Sequence, residues 1–174
     1  ELANLSKYQI DNLIKHWQEI EQEYDIILID TGAGLSDKVL DFVLAADEII
    51  VISTTEPTSV TDAYGVIKVI SNHNQQAEIK LVVNRVEKRK EGEKIGNRLI
   101  NTAQEFLGLE IDFLGDLPED KAVVKAVKKR RPFLLEFPRS KVVQSMNQIV
   151  VNLLDKSDSS KPGIKGFFSS MFGF

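Results

Sequence analysis

The sequence contains no cysteine, which excludes disulfides, thiolate-bound metal and a cysteine nucleophile within it. Histidine is nearly as scarce. His16 and His73 lie far apart with no third partner, so neither a zinc site nor a Ser/His triad is expected. No apolar run approaches the length of a membrane-spanning helix, and the first residues resemble no signal peptide. Aromatic residues make up only 7% of the 174 positions, yet four of the nine phenylalanines crowd into residues 164–174. What is present is ordinary for a globular chain: 43% hydrophobic and 28% charged residues, enough for one domain with a sizeable core and a short tail. The net charge of −4 hides an asymmetry, because residues 121–141 hold eight Lys/Arg against one acid, Glu136, a local balance of +7.

The rest of the chain is organised around residues 24–34, YDIILIDTGAG. Four consecutive aliphatic residues, Ile26 to Ile29, predict a short strand buried on both faces of a parallel sheet. The run stops at Asp30, and a loop with Gly32 and Gly34 follows. Ligands of open α/β sheets bind beyond the carboxyl ends of the strands, so Asp30 stands where a ligand would be met. A carboxylate there can hold Mg²⁺ through water, and the glycines can bring backbone N–H groups close to a phosphate. A strand that simply ends in a polar turn accounts for the same residues.

Ser6 and Gln9 fit a capping box, and Ile10, Leu13, Ile14, Trp17 and Ile20 recur at helical spacing. A short amphipathic helix is expected over 37–46, a second buried strand over 48–53 and a polar loop over 54–58. Helix over about 60–71 precedes a third strand, 79–84, which closes on Asn84 and Arg85. The charged segment 87–94 predicts an exposed loop, followed by helix 95–107 with Gly108 as its cap. A weaker fourth strand, 109–117, leads into Pro118, Glu119 and Asp120. A basic helix over 121–131 stops at Pro132, and a last core helix covers 140–154. The alternation of strand and helix predicts an α/β fold with a doubly wound, mostly parallel sheet over residues 1–154.

Residues 155–163 are polar and contain Pro162 and Gly163, so they predict a linker. In residues 164–174 the apolar Ile164, Phe167, Phe168, Met171 and Phe172 follow helical spacing, with Lys165 beside them and Phe174 at the end. Such a segment can lie in a membrane interface, apolar side down and lysines toward anionic headgroups. Folding back onto the chain's own core is the alternative, and the polar linker argues against it. A helix this short is marginal in water, so the tail is expected to be disordered in solution and to order on a membrane or partner.

Five features coincide in order: the strand followed by Asp30-Thr31-Gly32-Ala33-Gly34, the step AADEIIV over 45–51, TTEPTSVTDAY over 54–64, Val83-Asn84-Arg85, and Leu117-Pro118-Glu119-Asp120. Together they resemble the MinD/ParA family of deviant-Walker ATPases over about residues 24–154, with its flagellar-number branch, the FlhG group, nearest. The resemblance implies a SIMIBI-type P-loop NTPase fold, incomplete at its N-terminus, with ATP or ADP and Mg²⁺ as cofactors. Asp30 then resembles the Walker B acid, ordering the Mg²⁺ shell and the attacking water. Thr31, Gly32, Ala33 and Gly34 resemble the second switch loop. Asn84 and Arg85 look like the pair that meets the adenine, and Pro118, Glu119 and Asp120 like the loop that completes the base pocket. The resemblance further implies an ATP-dependent homodimer, peripheral at the inner face of the cytoplasmic membrane. Its partners would be the GTPase FlhF and flagellar C-ring or switch proteins.

The family's phosphate-binding loop has no counterpart here: nothing matches G-x-x-x-x-G-K-S/T, and about 23 residues precede the strand ending at Asp30. These residues therefore resemble the C-terminal portion of a longer ATPase, and this polypeptide alone is expected to hydrolyse no ATP. Two other classes compete. The basic run Lys121, Lys125, Lys128, Lys129, Arg130, Arg131, Arg139 and Lys141 could neutralise DNA phosphates, as in a ParA-type segregation ATPase, although the Asp-Thr-Gly-Ala-Gly element and the Phe-rich tail make nucleic acid the weaker expectation. A non-catalytic interaction module would bind its partner without regard to nucleotide. A dinucleotide-binding Rossmann protein is disfavoured because no G-x-G-x-x-G follows any predicted strand.

Overall fold

Three aliphatic runs form the three strands of a parallel sheet in the computed structural model, which describes residues 16, 19–32, 34, 36–88, 90–156 and 167. They are β1 (Ile49–Thr54), β2 (Ile79–Val86) and β3 (Ile111–Pro118), in the order β1-β2-β3. Ile49 pairs with Ile79, and Ile79 with Ile111, so their amino ends are level. Parallel neighbours require crossovers, which α2 (Pro57–His73) and α3 (Glu91–Leu107) supply. These two helices pack on each other and on the strands. Side chains alternate across a strand, so Val82 points away from Leu81 and Val83. It joins Leu114 and Leu117 in a second core cluster with Val142, Val143 and Ile149 of α6 (Lys141–Lys156). Helices therefore cover both faces, as the alternating pattern predicts.

The chain divides into two compact units, residues 48–158 and residues 1–47 with 159–174. In the second, Ser36 caps α1 (Asp37–Ala45) by accepting the Val39 N–H at 3.4 Å. Residues 16 and 19–23 are helical, in keeping with the expected first helix. The Phe42 ring lies 6.1 Å from that of Phe167, tilted by 41°. Phe167 is half-buried and is the one described residue of the tail, and this contact is of the fold-back kind. The remaining tail residues, Ile164, Lys165, Phe168, Met171, Phe172 and Phe174, lie outside the described residues, as do 157–163 of the expected linker.

Two expectations are corrected. Residues 26–29 are not a buried strand: their backbone takes no regular secondary structure, and Leu28 is 79% exposed. A strand buried on both faces needs neighbours for its N–H and C=O groups and cover for both rows of side chains. Aliphatic composition does not supply them. Nor is 87–94 a loop, because α3 already begins at Glu91. Gly92 and Gly96, one helical turn apart, face β3, where a Cβ on Gly92 would overlap Asp116 and one on Gly96 would come 2.6 Å from the Phe113 ring. The glycine that looks like a loop signal is what lets helix and strand approach.

Smaller shifts occur at element ends. α2 starts earlier than expected, at Pro57, a residue suited to a helix's first turn. The basic helix stops at Lys128, as α4 (Lys121–Lys128), and Arg130 at φ 53° turns the chain into the short α5 (Phe133–Glu136). Leu81 pairs with Phe113 but Val82 with Gly115, so Leu114 is an extra residue in β3. The Asn152 side-chain amide of α6 donates to the Leu114 carbonyl at 2.7 Å, satisfying a group that the bulge frees from the ladder. Lys80 is fully buried in β2, its ammonium 2.9 Å from the Glu48 carboxylate. Burial of a lysine at this depth requires such a partner.

Candidate nucleotide site at the carboxyl end of the sheet

The carboxyl ends of the three strands gather most of the polar residues expected of a site. Val83 pairs with Asp116 and Val86 with Pro118, so Asn84 and Arg85 together stand opposite the single residue Leu117. This two-against-one bulge re-aims the side chains of its strand. Arg85 adopts φ 57°, a left-handed conformation uncommon for a residue with a Cβ. Its N–H donates to the Asn84 side-chain oxygen at 2.8 Å, which holds the bend locally.

The turn places Arg85 beside the next loop. Its Nε donates to Glu119 Oε2 at 3.0 Å, and both side chains are exposed. The hydrogen bond to Glu119 raises the Arg85 pKa above its ordinary value, with the charges of Glu119 and Glu56 adding to the effect. The Glu119 N–H donates to the Val86 carbonyl at 2.9 Å, tying the loop to β2. Asp120 caps α4 by accepting the Ala122 N–H at 2.8 Å, so its carboxylate is committed to the helix. At the end of β1 the Ser59 hydroxyl accepts the Thr54 N–H at 2.9 Å, and the Glu56 N–H donates to Thr54 Oγ1 at 3.3 Å. These bonds hold the turn that carries Glu56.

Asn84, Arg85, Pro118, Glu119 and Asp120 thus lie at the neighbouring ends of β2 and β3. Two acids of this end had been given no role. Glu56 is visible in the sequence only as the acid of a polar loop. Half-buried Asp116 has its carboxyl pKa raised by burial and by the charge of Glu93, against a hydrogen bond from the Glu93 backbone. An acid near a strand end is the signal that could have found it.

Asp30 and its loop belong to the other unit. Asp30, Thr31, Gly32 and Gly34 are exposed, and Ala33 lies outside the described residues. Gly34 has φ 97°, a conformation that requires glycine, whereas a Cβ on either Gly32 or Gly34 would meet nothing within 4 Å. Among the described residues no three His, Asp or Glu side chains group as metal ligands. A groove of about 730 Å³ lined by Gln75, Asn101, Gln104 and Glu110 lies at the amino ends of β2 and β3, the opposite end of the sheet from Arg85 and Glu119.

Chemically, the strand ends offer a guanidinium edge held by a carboxylate, with its planar faces open for stacking. The adjacent Asn84 supplies an amide, so the set fits a heteroaromatic base.

A family model described as ParA, NUBPL iron-transfer P-loop NTPase, matches residues 6–154. The chain is 34% identical over 140 residues to the antiactivator FleN of Pseudomonas aeruginosa, covering 80% of this chain and 50% of FleN. It is 30% identical over 156 residues to the flagellum site-determining protein YlxH of Helicobacter pylori, covering 86% of this chain and 52% of YlxH. The chain therefore spans about half the length of these curated relatives. Its fold is similar to that of the septum site-determining protein MinD of Pyrococcus horikoshii complexed with Mg-ADP, with a TM-score of 0.61 at 22% identity over 84% of this chain and 57% of that one.

Proposed function

The chain belongs to the ParA/MinD family of P-loop NTPases, and from that membership we propose that it forms the base-holding and phosphate-sensing part of an ATPase switch that sets flagellar number or site. The observation that carries this reading is the β2 bulge. It turns Arg85 out at the carboxyl end of the sheet, beside Asn84 and clamped by Glu119. Arg85 stacks on the adenine and Asn84 reads its edge, while Glu119 and Pro118 wall the pocket. Asp120 maintains that wall by capping α4.

Asp30 holds the Mg²⁺ shell through water, and the loop 31–34 responds to the γ-phosphate. Mg²⁺ supplies neutralisation of phosphate charge during phosphoryl transfer. We derive no hydrolytic step from these residues, because the phosphate-cradling lysine is not among them, and this polypeptide alone is proposed to be inactive. In the whole protein, ATP joins two subunits. The tail 164–174 then anchors the dimer to the inner face of the cytoplasmic membrane, because two weak anchors act together. FlhF and C-ring proteins are the proposed partners. Among the described residues no helix is long and apolar enough to cross a membrane. The iron-transfer role of the matched family description gains no support from these residues, which include no cysteine for a cluster.

Binding of a fluorescent adenine nucleotide to the full-length protein tests this reading. Arg85→Ala should weaken adenine nucleotides about tenfold, the scale of one stacked cation–π contact. Unchanged affinity, or equal binding of guanine nucleotides, would sink it.

A further inference from the structure

We propose that α4 and α5 form a docking surface for an acidic amphipathic helix of a protein partner. This goes beyond the nucleotide reading and does not rest on it. The two helices touch each other, and each has an inner row that belongs to the core. Ala126 is buried, and Val123 and Phe133 pack against the cluster of Val82, Leu114 and Leu117. The outer rows are also apolar, although solvent faces them. Val127 is 69% and Leu135 78% exposed, and Val124 is half exposed.

Charge lies directly beside these side chains. At about 100° per residue, Lys121, Lys125 and Lys128 fall within an arc of roughly 60°, and Val124 and Val127 occupy the adjoining arc. Lys129 and Arg131 both engage Glu136. No such pair forms for Lys121, Lys125, Lys128 or Arg130 among the described residues. Glu136 thus takes up two of the cations, and the other four are left for an external carboxylate row.

An apolar stripe flanked by a cationic stripe complements a helix that carries apolar residues at i, i+3 and i+7 beside a row of Glu or Asp. A lipid surface fits less well, since interfacial anchoring favours exposed aromatic residues. Here Phe133 and Phe137 are half-buried, Phe137 lying under the Lys129 ammonium at 5.7 Å. DNA also fits less well, because the phosphate backbone offers nothing to the exposed valines and leucine.

The test titrates the full-length protein with a synthetic eighteen-residue (about five turns) helical peptide bearing adjacent leucine and glutamate stripes, followed by amide shifts and calorimetry. Shifts should concentrate on residues 121–136. Affinity should fall at least tenfold for the glutamine-stripe peptide, for V127S/L135S and at high salt, and it should be the same with and without ADP. All substituted positions are exposed, so circular dichroism should be unchanged. The triple variant K121E/K125E/K128E should lose the glutamate peptide and gain a lysine-stripe counterpart. Equal binding of the glutamine peptide would overturn the proposal, as would shifts elsewhere or failure of the charge swap. So would use of these residues only by anionic vesicles or duplex DNA.

Discussion

Arg85 and Glu119 meet at 3.0 Å across the ends of β2 and β3, and the contact exists because one strand carries an extra residue there. Without the bulge, the alternation of β2 would send position 85 to the opposite face from Asn84. The left-handed turn instead joins the two residues through the Arg85 N–H and the Asn84 side-chain oxygen. Glu119→Gln retains an acceptor but removes the charge that orients the guanidinium. It should weaken adenine nucleotides about threefold, less than Arg85→Ala, and leave the unfolding midpoint almost unchanged, since the pair is exposed. Nucleotide titration alongside urea unfolding checks both.

Gly92→Ala should destabilise the fold by about 1–3 kcal/mol, the usual scale of overpacking. The new methyl would overlap Asp116. Adding Asp116→Ala should recover much of that loss, because it removes the atoms in the way. A double-mutant cycle by urea denaturation measures the coupling.

Two carboxyls should give opposite pH signatures. Burial raises the pKa of Asp116, so the stability linked to it is present below the ordinary carboxylate value and lost as pH rises through the raised one. Hydrogen bonding from Lys129 lowers that of Glu136. Its contribution is therefore present above the ordinary value and lost as pH falls through the lowered one. Asp116→Asn should flatten the loss on the alkaline side of the carboxylate range and Glu136→Gln the loss on the acidic side, read from unfolding midpoints across that range.

Removal of residues 164–174 should abolish cosedimentation with anionic vesicles, and the intact chain should gain helical circular dichroism when they are added. An unchanged spectrum would count against an ordering anchor. Phe42→Ala, which deletes the ring facing Phe167, should strengthen vesicle binding if that contact competes with lipid. The polypeptide of 174 residues should show no ATP turnover.

Much of the fold was legible locally. Ile49–Thr54, Ile79–Val86 and Ile111–Pro118 are strands within a few residues of their predicted ends; the first two combine β-branched residues with a polar stop, and the third has a sparser apolar set, Ile111, Phe113, Leu114 and Leu117, ahead of Pro118-Glu119-Asp120. The run 26–29 has the same composition and is not a strand, since pairing depends on neighbours that composition does not report. The start of α3 was hidden for a related reason. Glu91, Gly92 and Glu93 look like a loop until Asp116 is seen against Gly92.

The sequence by itself determined the alternation of strands and helices and the polar residues closing each strand, and with them the family. Those properties are carried by residues adjacent in the chain. Only the tertiary structure decided that Glu56, Arg85 and Glu119 share one electrostatic site, that Asp120 is held by a helix, and that Val127 and Leu135 are exposed. The shared site depends on which distant backbone passes alongside, and that is settled by register, bulge and packing together.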